Sequence, residues 1–222
     1  MTGVSSNDAR VGGLGYLPAG RTSLLLGWLL VCCANDWSRA AESDHPFLIA
    51  EHGQPKCVLV VADQPSAAER TAALELQSIL KRVTGAELPI RTCGEVERDA
   101  KQIVVGPSTR FAELLPDMKL DDVGADGIVI HCDGNSLILA GPPPRGTLYA
   151  VYSFLEDQVG CRWWTPTEET MPHQPTLSIP PLSINYAPKL KSREAYYRDA
   201  FEAKFAARQK LNGHSASAWA RS

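Results

Sequence analysis

Three things are scarce in this chain, and each scarcity excludes something. Cysteine is the first, with six in 222 residues and no Cys-x-x-Cys pair, which removes the zinc and dithiol arrangements built on that spacing. Long apolar runs are the second. The longest, Ser23 to Ala34, holds about a dozen residues, where a membrane-spanning helix needs roughly 20. Charge of one sign is the third: 22 Lys and Arg stand against 25 Asp and Glu, a net charge of -3 without any basic block. The electrostatic footprint of a nucleic-acid binder is therefore missing, and so is a glycine-rich phosphate loop followed by Lys-Ser/Thr.

The first forty residues read as targeting sequence. Arg10 and Arg21 precede the apolar run, and small residues follow at Ala34, Ala40 and Ala41, the order of a secretory signal. An uncleaved anchor is the alternative. Four cysteines lie beyond this leader, Cys57, Cys93, Cys132 and Cys161; export permits disulfides between them, and buried free thiols are the other reading.

Between the leader and residue 172 the pattern alternates strands with helices. Lys56 to Asp63 is a short apolar run flanked by prolines, a buried strand. Ser66 is placed to cap a helix to Thr84, with Ala72, Leu76, Ile79, Leu80 and Val83 on one face and Gly85 at its end. Leu88 to Arg91 and Gln102 to Gly106 read as strands, the second followed by a brief helix capped by Ser108. Gly127 to Cys132 and Ser136 to Ala140 form a hairpin across the turn Asp133-Gly134-Asn135. A last helix opens near Arg145, carries Leu148, Val151, Tyr152, Leu155 and Val159 on one face, and stops at Gly160. The fold class expected is α/β (an α+β sandwich): a mixed, mostly antiparallel sheet with two main helices packed on one face.

After Gly160, Cys161-Arg-Trp-Trp164 reads as extended chain. Successive side chains then point to opposite faces, so one tryptophan enters the core and the other faces out, or both serve as a stacking platform for sugar rings. Alternation groups Trp163 with Cys161 as the inward pair. Prolines at 172, 175, 180, 181 and 188 mark a linker or an extended edge segment. Beyond it, Lys191 to Tyr197 is expected as a strand and Asp199 to Leu211 as a helix with Phe201, Phe205 and Ala206 inward.

The stretch "DGIVIHCDGNSLILAGPPPRGTLYAVYSFLEDQVGCRWWTP" resembles the accessory amino-terminal domain that precedes the catalytic barrel in bacterial glycoside hydrolases of the family 20 hexosaminidase and family 67 α-glucuronidase kind. The likeness covers roughly residues 56 to 187. "PKLKSREAYYRDAFEAKFAARQKLNGH" is similar to the first barrel strand and helix of family 20 enzymes. That likeness implies sugar-hydroxyl contact for Arg193 and places Lys210 and Asn212 at a Lys-x-Asn element. Glu194 stands where that family has glycine, and His214 comes one residue early. The resemblance divides the chain into a signal peptide and leader at 1–41, an accessory α/β domain at 42–187, and the first βα unit of an incomplete TIM-type barrel at 188–222. A full barrel takes about 250 residues, and 34 follow Pro188.

The implied function is that of a non-catalytic accessory domain of an exported, periplasmic or extracellular glycoside hydrolase acting on O-glycosidic bonds. A free-standing carbohydrate- or partner-binding module and an inactive fragment of a truncated gene are the alternatives. The candidate substrate-binding residues are Arg193 and Trp164, and no residue is assigned as catalytic. Glu168 and Glu169 are adjacent, which cannot place carboxylates on both sides of a glycosidic bond. His131 and Cys132 point apart on their strand, and His45, His52, His173 and His214 lack ligand spacing, so neither metal nor cofactor is expected. The partner expected is carbohydrate, met through the barrel, with no nucleic acid and no membrane beyond an uncleaved signal anchor.

On export, cleavage is expected between Ala34 and Ala41. Intact-mass analysis of secreted material checks this; Met1 retained on protein in the membrane fraction would contradict it.

Overall fold

Helix formation starts where the chain offers a cap. In the computed structural model, which describes residues 45–213, the Ser66 side chain accepts from Glu69 N while Glu69 accepts from Ser66 N, a reciprocal capping box. Helix α1 then runs Ala67–Thr84, and Gly85 N donates to Lys81 O at 2.8 Å to close it. The leader, His214 and the closing residues 215–222 lie outside the described residues.

The strands are β1 (Phe47–Glu51), β2 (Gln54–Pro55), β3 (Val58–Val61), β4 (Ile90–Thr92), β5 (Gln102–Val105), β6 (Ile128–Cys132), β7 (Ser136–Ala140), β8 (Arg162–Trp163), β9 (Glu169–Thr170), β10 (Leu177–Ile179) and β11 (Leu182–Tyr186). The main sheet has the order β11-β6-β7-β5-β3-β4. Its pairs β3–β4, β3–β5 and β5–β7 are parallel, and β6–β7 and β6–β11 antiparallel. The small ladders β1–β10, β1–β2 and β8–β9 are all antiparallel, so antiparallel pairing prevails over the three sheets together and parallel pairing within the main one.

Side-chain alternation divides the core into two layers. On one face, Leu59, Ile103, Val105, Leu137 and Leu139 pack against α1 and against α3 (Gly146–Phe154). Each leucine, isoleucine or valine so buried contributes about 1.5–3 kcal/mol relative to exposure. On the other face, Val104, Ile138 and Ala140 meet Phe111 of α2 (Thr109–Leu114) and the apolar residues after it. Two main helices on one face of a mixed sheet is the sandwich expected from the sequence.

The opening and the exit of α3 both depend on glycine. At the opening, three backbones converge: a Cβ on Gly141 would lie 2.4 Å from the Gly146 carbonyl carbon and 2.5 Å from Gly127 O. No side chain fits there, so the start of β6, the end of β7 and the start of α3 come into direct backbone contact. At the exit, α3 passes into a π turn, Leu155–Val159, and Gly160 ends it at φ 91°. The stripe Leu148, Val151, Tyr152, Leu155 and Val159 is buried throughout. The extended chain after it buries Trp163 and leaves Trp164 63% exposed. Trp163 meets Tyr152 edge-on, with centroids 5.5 Å apart.

The proline-rich stretch supplies edge strands rather than a free tether. β10 pairs with β1, and β11 extends the main sheet beside β6. Beyond Pro188 two expectations are corrected. Lys191 to Tyr197 is not a strand, because a strand exists only as a ladder partner and Arg193 finds Asn212 instead: its N–H donates to Asn212 Oδ1 at 2.8 Å, and Asn212 N donates back to Arg193 O at 3.0 Å. The expected long helix is a 3-10 turn, Arg198–Phe201, followed by α4 (Ala203–Arg208). Glu202 caps α4 by accepting from Lys204 N and Phe205 N, and this break turns Phe201 outward at 62% exposure while Phe205 and Ala206 stay in the core. Among the described residues no helix is long and apolar enough to cross a membrane.

Trp163→Ala is expected to cost about 3–5 kcal/mol and Trp164→Ala far less, as measured by denaturant unfolding of the two variants. Equal losses would contradict the packing.

Candidate functional site

The glycine convergence at residues 127, 141 and 146 fixes what precedes two of those glycines. Asp126 precedes Gly127 and Arg145 precedes Gly146, so a carboxylate and a guanidinium are carried to the same point. Asp126 adopts φ 60°, a left-handed conformation that aspartate tolerates better than most side chains, and it is 4% exposed. A carboxylate so buried needs partners. Arg145 Nε donates to Oδ1 at 2.8 Å and Arg145 Nη2 to Oδ2 at 3.2 Å. Two further donors come from beyond Pro188: Arg193 Nη2 at 2.9 Å and Asn212 Nδ2 at 3.1 Å, both to Oδ2. Burial favours the neutral acid, and the bonds from Arg145, Asn212 and Arg193 together outweigh it, holding the carboxyl below its usual range.

A second buried carboxylate repeats the plan. Glu75 is 8% exposed on the apolar face of α1, where Tyr152 Oη donates to it at 3.2 Å. Its other partners lie on α4: Lys204 Nζ at 2.7 Å and Arg208 Nη2 at 3.3 Å. Arg208 also reaches Glu169 at 3.5 Å and stands over the Trp163 ring, 5.1 Å from its centroid. Lys210 pairs with Glu156, and Tyr149 Oη donates to Leu211 O. Apart from the Tyr152–Glu75 bond and the Trp163 ring contact, each of these pairs puts a domain acid or hydroxyl against a group supplied after Pro188.

Beside the Asp126–Arg193 pair lie two hollows, of about 450 Å³ and about 470 Å³. The first is walled by α3, β6, β11 and the turn after α4, with Ile128, Ser153, Asp157, Ile184, Tyr186 and Gln209 among its lining. The second lies towards Gly124, Arg145, Leu190 and Asn212.

Of the residues singled out in the sequence, Arg193 lines the first hollow with its donors engaged inside the chain: Nε on Lys210 O, Nη1 on Leu190 O and Nη2 on Asp126. Trp164 stands apart, its Nε1 bonded to Thr170 Oγ1 at 2.9 Å. Lys210 and Asn212 come together with Arg193, whose Nε donates to Lys210 O at 2.9 Å and whose N–H donates to Asn212 Oδ1 at 2.8 Å. Glu169 is held by Arg82 and Arg208. All four cysteines of the described residues are free and buried, and burial pushes the Cys57 thiol up to about 12 and that of Cys161 up to about 11. Among the described residues no group of His, Cys, Asp and Glu is arranged to hold a metal ion.

Asp126 and Glu75 escaped sequence reading for different reasons. Asp126-Gly127 reads as ordinary turn chemistry. Glu75 carried a usable signal, because it falls one residue before Leu76 and three after Ala72 on the face otherwise given to the core, and a carboxylate there requires a cation from elsewhere in the fold.

Residues 50–154 match the family described as glycosyl hydrolase family 67 N-terminus. No curated protein sequence matches the chain. Among solved structures it is similar to a family GH115 4-O-methyl-α-glucuronidase with specificity for decorated arabinogalactans, at 17% identity and TM-score 0.49 over 66% of this chain and 19% of that one. It is also similar to the GH20 β-N-acetylhexosaminidase of Streptomyces coelicolor A3(2), at 17% identity and TM-score 0.43 over 68% of this chain and 25% of that one. A GH20 exo-β-N-acetylglucosaminidase from Vibrio harveyi gives 14% identity and TM-score 0.43 over 77% and 22%. The chain thus spans between 19% and 25% of the length of these structures.

Asp126→Ala is expected to destabilise the protein by about 3–5 kcal/mol, because it leaves two partly buried guanidiniums without their anion. The depressed carboxyl sets the sign of the pH effect. Its contribution is fully present above the unfolded value of about 3.9 and is lost as pH falls through the folded value. Denaturation midpoints from pH 7 down to pH 2 should fall more steeply for the parent chain than for the variant.

Proposed function

We propose that the chain, whose residues 50–154 match the glycosyl hydrolase family 67 N-terminus, serves as the non-catalytic accessory part of an exported glycoside hydrolase acting on O-glycosidic bonds. The observation that carries this reading is the pair of buried carboxylates, Asp126 and Glu75, each taking cations from residues after Pro188. In this reading the domain holds the next segment at a fixed place and angle. Two anchors on separate elements, the Asp126 turn and α1, fix both position and rotation of the segment they grip.

The chemistry of the anchors supports a non-catalytic role. Glycosidic cleavage needs a carboxylic acid that still carries its proton near neutral pH and a second carboxylate across the bond. Asp126 is the reverse of such an acid: its lone pairs are occupied by Arg145, Arg193 and Asn212, and its proton is lost early. Its place is structural. Export, to the periplasm or beyond the cell, is the compartment that fits the leader pattern at 1–41 and a polysaccharide substrate.

The purified chain is expected to hydrolyse neither aryl β-N-acetylglucosaminides nor aryl α-glucuronides. Turnover abolished by replacing a carboxylate of this chain would overturn the accessory reading.

A further inference from the structure

The hollow of about 450 Å³ beside α3 has features that its neighbour across the Asp126–Arg193 pair lacks. Ser153 lines it, is only 7% exposed, and its hydroxyl has no hydrogen-bond partner among the described residues. The hydroxyl is not an enclosed unpaired atom, which among the described residues are Trp163 Nε1 and Arg208 Nε; it stands open to a molecule that enters the hollow. Asp157, four residues further on, stands in the π turn at the mouth of the hollow; its carboxylate makes no ion pair or hydrogen bond among the described residues. Gln209, which also lines the hollow, gives its amide nitrogen to Trp163 O at 2.8 Å and keeps its amide oxygen without a partner among the described residues. Ile128 and Ile184 provide an apolar wall, and Tyr186, half exposed, stands at the opening.

We propose that this hollow binds a neutral sugar residue of an oligosaccharide. The ligand must offer hydroxyls to Ser153, Asp157 and the Gln209 oxygen while presenting an apolar face to Ile128, Ile184 and the Tyr186 ring. A pyranose has that division between hydroxyl rim and C–H face, and the volume lies within the range of small-molecule sites. Charge decides against an acidic sugar. The cations that line the hollow are neutralised, Arg193 by Asp126 and Lys210 by Glu156. The one charged group left open, Asp157, repels a carboxylate. The π turn explains how the site comes to exist: its wider turn re-aims the residues after Ser153 and carries Asp157 to the rim. This inference rests on the accessory reading above for the choice of sugar over other neutral polyols.

The test is isothermal titration of the whole chain with cellopentaose, xylopentaose, mannopentaose and chitopentaose, with glucuronic acid as the acidic probe. At least one neutral oligosaccharide should bind, Asp157→Asn and Tyr186→Ala should each weaken it about tenfold, and glucuronic acid should not compete. Both positions are exposed, so an unchanged melting temperature shows that the variants keep the fold. Failure of all four oligosaccharides, unchanged affinity in both variants, equal binding of glucuronic acid, or loss through Trp164→Ala instead would each overturn the proposal. Aryl glycoside turnover would instead sink the accessory reading, so the two failures are told apart.

Discussion

A carboxylate taken out of water must be met by positive charge and by hydrogen-bond donors, and around Asp126 that requirement organises three separate parts of the chain. The turn before β6 supplies the acid, the start of α3 supplies Arg145, and the segment after β11 supplies Arg193 and Asn212. None of these can move alone without stranding a buried charge, a loss on the order of several kcal/mol. The tight glycine contact at residues 127, 141 and 146 makes the arrangement stiff from behind. The ion cluster makes it specific from in front.

Glu75 adds a second fixed point on a different layer of the fold. One anchor would leave the terminal segment free to pivot; two, with the Arg208 guanidinium lying against Trp163, leave it one orientation. The inward tryptophan therefore has a double duty: it fills the core beneath α3 through Tyr152 and offers its other face to a cation from α4. Trp164, one residue on, takes part in neither.

What could be read from the sequence was what depends on near neighbours. The Ser66 and Ser108 caps, the Gly85 and Gly160 stops and the hairpin around Gly134 each rest on residues within a few positions of one another, and each is present. Strand order depends on contacts far apart in sequence, and neither the pairing of β1 with β10 nor the central place of β5 leaves a local mark. Phe201 shows the same limit from the other side. Its spacing suits an inward position, but Glu202 caps the helix one residue later and reverses it. At the candidate site, Arg193, Lys210 and Asn212 were legible through a resemblance in motif, whereas the acid that gathers two of them looked like part of a turn.

The ladder between β1 and β10 pairs Phe47 with Ile179, and the main sheet gains its outer strand from Leu182–Tyr186. A chain emerging from the ribosome amino terminus first therefore holds one edge of β1 ready for more than a hundred residues of synthesis before β10 exists to pair with it. During that interval β6 also offers an open edge. Late arrival of both closing strands makes this a fold whose assembly waits until Tyr186 has been made, with high contact order and a slow, aggregation-exposed stage as the physical result.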